Sequence, residues 1–220
     1  MRISICLLGV DELPEPREEL AALAKGLPFG EEARRRLLQM KNSSALRQSL
    51  GGLLALRSLM EQRGIPSATV LRSEQGKPYF AESPTLPFGI SHSQTLAVAV
   101  LGENGGGSLG VDLEFLRENC DPTRLAARFF CKTERDELTG LGNTPEAFLR
   151  LWTKKEAAAK CSGEGIVPFL GKENLSCCSD TYSVIHHGKS AYLTLCCTAK
   201  PTKVTFLCQG KGIMITNDNQ

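Results

Sequence analysis

The sequence predicts an α+β fold. Three observations carry that prediction. Helix-periodic segments fall in two groups, one before residue 65 and one between residues 121 and 163. Short strand-like runs, ordered as antiparallel neighbours, fill the middle and the C-terminal part. No regular strand–helix alternation of the kind that builds a parallel sheet is present.

Each element has its own warrant. Residues 2–9, "RISICLLG", read as a strand. "PEPREELAALAKGL" places proline and acids early and Lys-Gly late, the polarity of a helix, and "EEARRRLLQMK" follows as a second. A third helix runs from Ser43 to about Arg63, with Leu46, Leu50, Leu53, Leu54 and Leu56 at helical spacing and Gly64 as its stop. "SATVLRS" is a strand, and "GKPYF" (76–80) is a turn leading into an extended piece. "LPFGISHS" and "TLAVAVLG" read as two strands joined through Ser91-His92-Ser93. "ENGGGS" (103–108) is the expected boundary, dividing the chain into an N-terminal unit of residues 1–103 and a C-terminal unit of residues 104–220.

After the strand "LGVDLEFL" (109–116) come two helices, "DPTRLAARFF" and "TERDELTGL", the second with Thr133 as N-cap and Asp136 at the capping-box position. Thr144 caps a longer helix, with Pro145 in its first turn and Gly163 just past its end. The stretch 181–208 reads as antiparallel strands, and the last ten residues as frayed.

Bulk composition narrows the function. At 220 residues, 41% hydrophobic and 23% charged, the chain is long enough to bury a sizeable core. A net charge of +2 speaks against bulk attraction to nucleic acid or an anionic membrane. Between Glu31 and Arg72, however, seven Arg and one Lys face three Glu. That excess suits either an acidic partner or polyphosphate, or simply two solvated basic helix faces. Nine cysteines without C-x-x-C spacing read as reduced cytosolic thiols, mostly small core residues. The N-terminal apolar run is too short for a secretory signal, and no stretch approaches a membrane span. A cytoplasmic protein is expected.

Asp112 and Glu114 raise the functional question. In a strand they share a face with Gly110, opposite Leu109, Val111, Leu113 and Phe115. Taken alone, this is either a half-buried strand with a solvated acidic face or part of a metal site. Glu156, in "LWTKKEAAAK", lies on the Trp152–Ala159–Lys160 side of its helix, where a carboxylate needs a cation or strong donors. It is either one half of a surface pair with Lys160 or a third metal ligand. Three hard oxygen ligands, with Lys155, Lys160, Arg47 and the polar Ser91-His92-Ser93 segment to hold phosphates, would equip phosphoryl-group transfer.

"GKPYF", "PFGISHS", "LGVDLE", "RFFCKTERDEL" and "LWTKKEAAAK", in this order and with these gaps, resemble the 4′-phosphopantetheinyl transferases of the surfactin-synthetase-associated (Sfp) type. The resemblance runs from about Arg47 to Gly165. It implies two similar subdomains with pseudo-twofold symmetry, each an antiparallel sheet packed with helices. It also implies transfer of the phosphopantetheine arm of coenzyme A, a co-substrate, to a serine of an acidic acyl- or peptidyl-carrier protein, releasing 3′,5′-ADP. By the resemblance Asp112, Glu114 and Glu156 match the Mg²⁺ ligands, Mn²⁺ being a substitute. Gly76, Lys77 and Pro78 match the segment beside the adenine and 3′-phosphate, and Arg47 a helix arginine near that phosphate. Ser91 and His92 match a phosphate-contacting turn, and Lys155 and Lys160 lysines on the pyrophosphate side. Glu156 is the expected base and Lys160 the group that stabilises or protonates the leaving phosphate. Family members often carry basic residues in the helix before Arg47; here Glu32 stands at one such place, and which of Arg34, Arg35 and Arg36 serves instead is open. Arg117, Arg124, Arg128, Phe129 and Phe130 are one candidate for a carrier-facing surface, with Arg128 and the two Phe equally readable as core and rim. His186 and His187 match nothing in the family and are expected to be structural or exposed. A monomer is expected, and the sequence leaves open whether the carrier serves fatty acid, polyketide, nonribosomal peptide or lysine synthesis. Two competing readings are a Mg²⁺-dependent nucleotidyltransferase or phosphohydrolase, and a non-catalytic carrier- or coenzyme-binding protein.

Overall fold

In the computed structural model, which describes residues 1–105, 107–117, 119–173 and 177–217, two four-stranded sheets lie face to face, each with a long helix on its outer side. The first sheet has the order β4–β5–β1–β9, built from β1 (Arg2–Gly9), β4 (Phe88–Ser93), β5 (Leu96–Leu101) and β9 (Lys203–Gln209). The second has the order β10–β7–β8–β6, from β6 (Leu109–Phe115), β7 (Cys178–His186), β8 (Lys189–Cys197) and β10 (Ile213–Asn217). A small hairpin of β2 (Val70–Arg72) and β3 (Pro78–Phe80) stands apart. The helices are α1 (Arg17–Lys25), α2 (Glu31–Gln39), α3 (Ser43–Gln62), α4 (Pro122–Phe129), α5 (Lys132–Gly140) and α6 (Pro145–Ser162), with a 3-10 turn at Val10–Glu12.

Strand periodicity explains the layering. Ile5 and Leu7 of β1 and Val98 and Val100 of β5 point into the gap between the sheets, where they meet Val111 and Leu113 of β6 and Leu193 and Leu195 of β8. Their alternates, Cys6, Leu8, Ala97 and Ala99, pack against Leu50, Leu54 and Ala55 of α3. Strands covered on both faces are apolar along nearly their whole length, which is why "ICLLG" and "LAVAVL" show no alternation. The second sheet is covered on its outer side by α6, where Thr153 Oγ1 lies 2.9 Å from Thr194 Oγ1 and Ala157 and Cys161 pack on Cys196. Two sheet–helix halves, paired through their sheets, are the α+β arrangement expected.

Helix α6 starts and stops where its sequence requires. Thr144 Oγ1 accepts the Ala147 amide at 3.1 Å, and Gly163 takes the left-handed C-cap conformation at φ 84°.

Several expectations are corrected. Strand β9 leaves the C-terminal unit and pairs in parallel with β1, Ile5 opposite Phe206, so the first sheet is mixed and residues 104–220 lend it an edge. Ser91-His92-Ser93 belongs to β4 rather than to a turn; Gln94, at φ 45°, and Thr95 make the connection. Helix α5 begins two residues earlier than Thr133 implied: Cys131 is its N-cap, and Glu134 returns a carboxylate to the Cys131 amide at 2.9 Å. The C-terminal segment expected to fray contains β10, which pairs antiparallel with β7; residues 218–220 lie outside the described residues, as does Gly106 of the expected boundary. The cysteines are not uniformly reduced, because Cys177 and Cys196 form a disulfide. Cys6 does behave as a core residue, its thiol pushed up to about 12 by burial and then by Cys208.

Candidate active site

The edges β4 and β6 run side by side where the two sheets meet, and their polar residues face each other. Ser91 Oγ donates to Asp112 Oδ1 at 3.0 Å, and Ser93 Oγ donates to Glu114 Oε2 at 2.9 Å. Helix α6 lies over the same face of β6 at unusually close range, because Gly110 has no side chain to hold it off. A Cβ there would stand 2.9 Å from Cys161 Cα and nearer still to the Ala157 carbonyl and the Cys161 amide. Gly110 therefore makes room for the helix backbone. This contact brings Glu156 and Lys160 of α6 beside Asp112 and Glu114 of β6.

All four line one cleft of about 500 Å³, walled also by α2, α3, the β2–β3 hairpin and β4. Lys160 Nζ bridges Asp112 Oδ1 at 2.6 Å and Ser91 Oγ at 3.0 Å. Asp112 is only 2% exposed, and its second oxygen, Oδ2, is buried with no hydrogen-bond partner among the described residues. Burial and then the Asp112 charge raise the Glu114 carboxyl, and the same two causes raise Glu156. Three crowded carboxylates, one with an orphaned buried oxygen, and one ammonium leave the site short of positive charge. A hard divalent cation with oxygen ligands fits that deficit. The three carboxylates are not drawn tightly together here. Among the described residues, the set whose ligand atoms all lie within 4.8 Å of one another is Asp11, His186 and His187.

The expected cationic residues divide. Gly76, Lys77 and Pro78 line the cleft, Gly76 at φ 89° in the hairpin turn. Lys77 Nζ donates to the Cys161 carbonyl at 2.6 Å, capping the C-terminal end of α6, and also meets Ser108 Oγ. Its pKa is lowered, chiefly by burial. His92 stands at the solvent side of the cleft, where crowding by protein atoms and then the Lys160 ammonium lower its pKa.

Two residues are placed elsewhere. Lys155 is fully buried, pairing with Glu134 Oε1 at 2.9 Å and donating to the Lys172 carbonyl at 2.8 Å. Helix geometry explains it: Lys155 is rotated about 100° from Glu156, whereas Lys160 is rotated only about 40°. Arg47 Nη2 donates to the Pro14 carbonyl at 3.2 Å, tying α3 to the segment before α1, and it does not line the cleft.

Sequence reasoning missed Arg72. It lines the cleft with Arg36 and Glu32; burial and then Arg36 lower its pKa, the mark of two guanidiniums held near each other. Of the three consecutive arginines, Arg36 is the one at the cleft, while Arg34 donates to the Leu27 carbonyl. The available signal was the position of Arg72 at the end of a strand leading into the Gly76 turn.

Comparison with known proteins agrees with this geometry. A family profile described as the 4′-phosphopantetheinyl transferase superfamily matches residues 108–216. The 4′-phosphopantetheinyl transferase HetI of Nostoc sp. is 35% identical over 168 residues, covering 70% of this chain and 67% of that protein. The 4′-phosphopantetheinyl transferase AcpT of Escherichia coli (strain K12) is 34% identical over 112 residues, 50% of this chain and 56% of that protein. A 4′-phosphopantetheinyl transferase of Bacillus subtilis is 29% identical over 126 residues, 56% of this chain and 54% of that protein. The chain thus spans little more than half the length of the latter two. With the cleft between β4, β6 and α6, these similarities establish that the chain belongs to the 4′-phosphopantetheinyl transferase superfamily.

Proposed function

We propose that this chain, as an Sfp-type enzyme, transfers the 4′-phosphopantetheine arm of coenzyme A to a serine of an acyl- or peptidyl-carrier protein, with Mg²⁺ or Mn²⁺ held by Asp112, Glu114 and Glu156. The observation that carries the reading is that these carboxylates line one cleft with Lys160 and Ser91, which both bind Asp112 Oδ1 and leave the buried Oδ2 without a partner among the described residues. When bound, the divalent cation neutralises phosphate charge and makes the phosphorus a better electrophile.

The protein groups supply the rest. The serine Oγ–phosphorus bond forms as the bond from phosphorus to the 3′,5′-ADP oxygen breaks. Glu156, whose carboxyl is raised by burial and by Asp112, takes the serine proton. Lys160 faces the negative charge that develops on the departing 3′,5′-ADP. Ser91 holds Lys160 and Asp112 in register, and His92 adds a donor at the cleft mouth. Arg36 and Arg72, with Lys77, hold the nucleotide end, where the cleft is most basic. The 1–103 and 104–220 halves meet at this cleft, with β9 binding the second half to the first.

Beside Glu114 a smaller apolar groove of about 180 Å³ opens, lined by Leu116, Arg117, Leu125, Phe129 and Trp152. An acidic carrier domain seated there would bring its serine to the carboxylates. Arg117 and Phe129 line that groove, and the Arg128 guanidinium lies over the Phe129 ring at 5.1 Å. Phe130 does not: it is fully buried and stacked on Phe148 at 5.1 Å. The activity belongs to the cytosol, where coenzyme A and carrier proteins meet; among the described residues no helix is long and apolar enough to cross a membrane.

Intact-mass spectrometry of an apo carrier protein incubated with the chain, coenzyme A and Mg²⁺ tests the reading. One phosphopantetheine should be gained, and lost with EDTA or Asp112→Ala. Release of 3′,5′-ADP without carrier would turn the assignment to a hydrolase. Coenzyme A binding without transfer to any of several carriers would turn it to a binding protein.

A further inference from the structure

Three turns converge beside the β4–β5 turn, whose Thr95 reaches His186. The first carries Asp11, in the 3-10 turn after β1. The second is the two-residue turn between β7 and β8, His187-Gly188, whose φ values of 49° and 76° are those of a tight hairpin. The third joins β9 to β10, and its Lys211 amide donates to Glu12 Oε1 at 2.6 Å. His187 Nε2 lies 2.9 Å from Asp11 Oδ2, and His186 Nε2 lies 3.8 Å from Asp11 Oδ1.

His186 is the unexplained member. Its side chain is 0% exposed, and its Nε2 is buried without a hydrogen-bond partner among the described residues. The Lys211 backbone lies close enough to favour the charged ring but makes no hydrogen bond of normal geometry with it. Its Nδ1 is 2.9 Å from Thr95 Oγ1. With Nδ1–H donating to Thr95, the Nε2 lone pair is aimed at Asp11, the outer-shell arrangement that fixes a metal-ligating imidazole. Gly9 keeps the space clear: a Cβ there would lie 3.2 Å from Asp11 Oδ1 and 3.6 Å from His186 Nε2.

We infer that Asp11, His186 and His187 form a second metal site, for Zn²⁺ or a similar first-row divalent ion, that staples the N-terminal half to the C-terminal half. All three ligand atoms lie within 4.8 Å of one another, and none of the three residues lines the catalytic cleft. Two imidazoles and one carboxylate favour zinc over magnesium, which takes oxygen donors. Water completes the coordination. The inference does not rest on the proposed activity.

The test is titration of the metal-stripped full chain with Zn²⁺ against a chromophoric chelator, paired with Co²⁺ absorption. One tight equivalent is expected, with a visible Co²⁺ band free of thiolate charge transfer, and a melting temperature that rises with zinc. Asp11→Asn and His187→Gly should each weaken zinc binding at least about tenfold. Both are on accessible turns, and glycine suits the positive φ at 187; each should keep the parent's urea midpoint and transfer rate without zinc. His186→Gln should do the same if it folds, and the other two variants decide the matter if it does not. Absence of zinc binding, unchanged affinity in both turn variants, or a thiolate signature in the Co²⁺ spectrum overturns the assignment.

Discussion

Gly110→Ala should damage both the stability and the site of this protein. The Cβ would stand 2.9 Å from Cys161 Cα, and closer to the Ala157 carbonyl and Cys161 amide, all backbone atoms of α6. No rotamer change relieves a clash with backbone, so α6 must retreat from β6 by about 1 Å to restore ordinary contact. Overpacking of a filled core costs about 1–3 kcal/mol, and this contact belongs at the top of that range because neither partner can yield. The retreat also separates Lys160 from Asp112, now 2.6 Å apart, and carries Glu156 away from Glu114. A misplacement of about 1 Å at reacting groups lowers turnover on the order of 100-fold. Urea denaturation and transfer kinetics on the same preparation measure both effects. The control is Gly140→Ala at the end of α5, where a Cβ meets nothing within 4 Å; it should be neutral or stabilise by roughly 0.5–1 kcal/mol. If Gly110→Ala matches the parent in midpoint and rate, the close helix–strand contact does not position the site.

Other consequences are equally open to measurement. Glu114 and Glu156 have folded pKa values raised by burial and by Asp112, so the stability they contribute is full below the unfolded value, about 4.3, and is lost as pH rises through the folded values. In EDTA, scanning fluorimetry should show the melting temperature falling over that window, with Mg²⁺ reducing the fall and Glu156→Gln flattening it; a flat profile common to parent and variant would contradict the coupling. Lys155→Met strands the buried Glu134 carboxylate and should cost about 3 kcal/mol in urea while leaving coenzyme A affinity intact, whereas a selective loss of that affinity would return Lys155 to the phosphate site. Arg72→Ala should weaken coenzyme A binding about tenfold and dephospho-coenzyme A binding far less, as calorimetry with the two ligands would show; equal losses would place Arg72 away from the 3′-phosphate.

Much of this was legible from local pattern. The two-residue period of "LGVDLEFL" put Asp112 and Glu114 on one face, and the caps Thr144 and Gly163 bounded α6, because alternation and capping depend only on near neighbours. The same helical period already separated Lys155 from Glu156 and aligned Lys160 with it, a signal outweighed by the two lysines' shared proximity to Glu156 in sequence. Tertiary packing alone decided the rest. Whether β9 would turn back to pair with β1, how closely α6 would approach Gly110, whether Arg47 or Arg72 reached the cleft, and whether His186 Nε2 would be buried without a partner all depend on contacts between residues far apart in the chain. Such contacts are selected by how the two sheets and their helices fit together, and no local propensity encodes that fit.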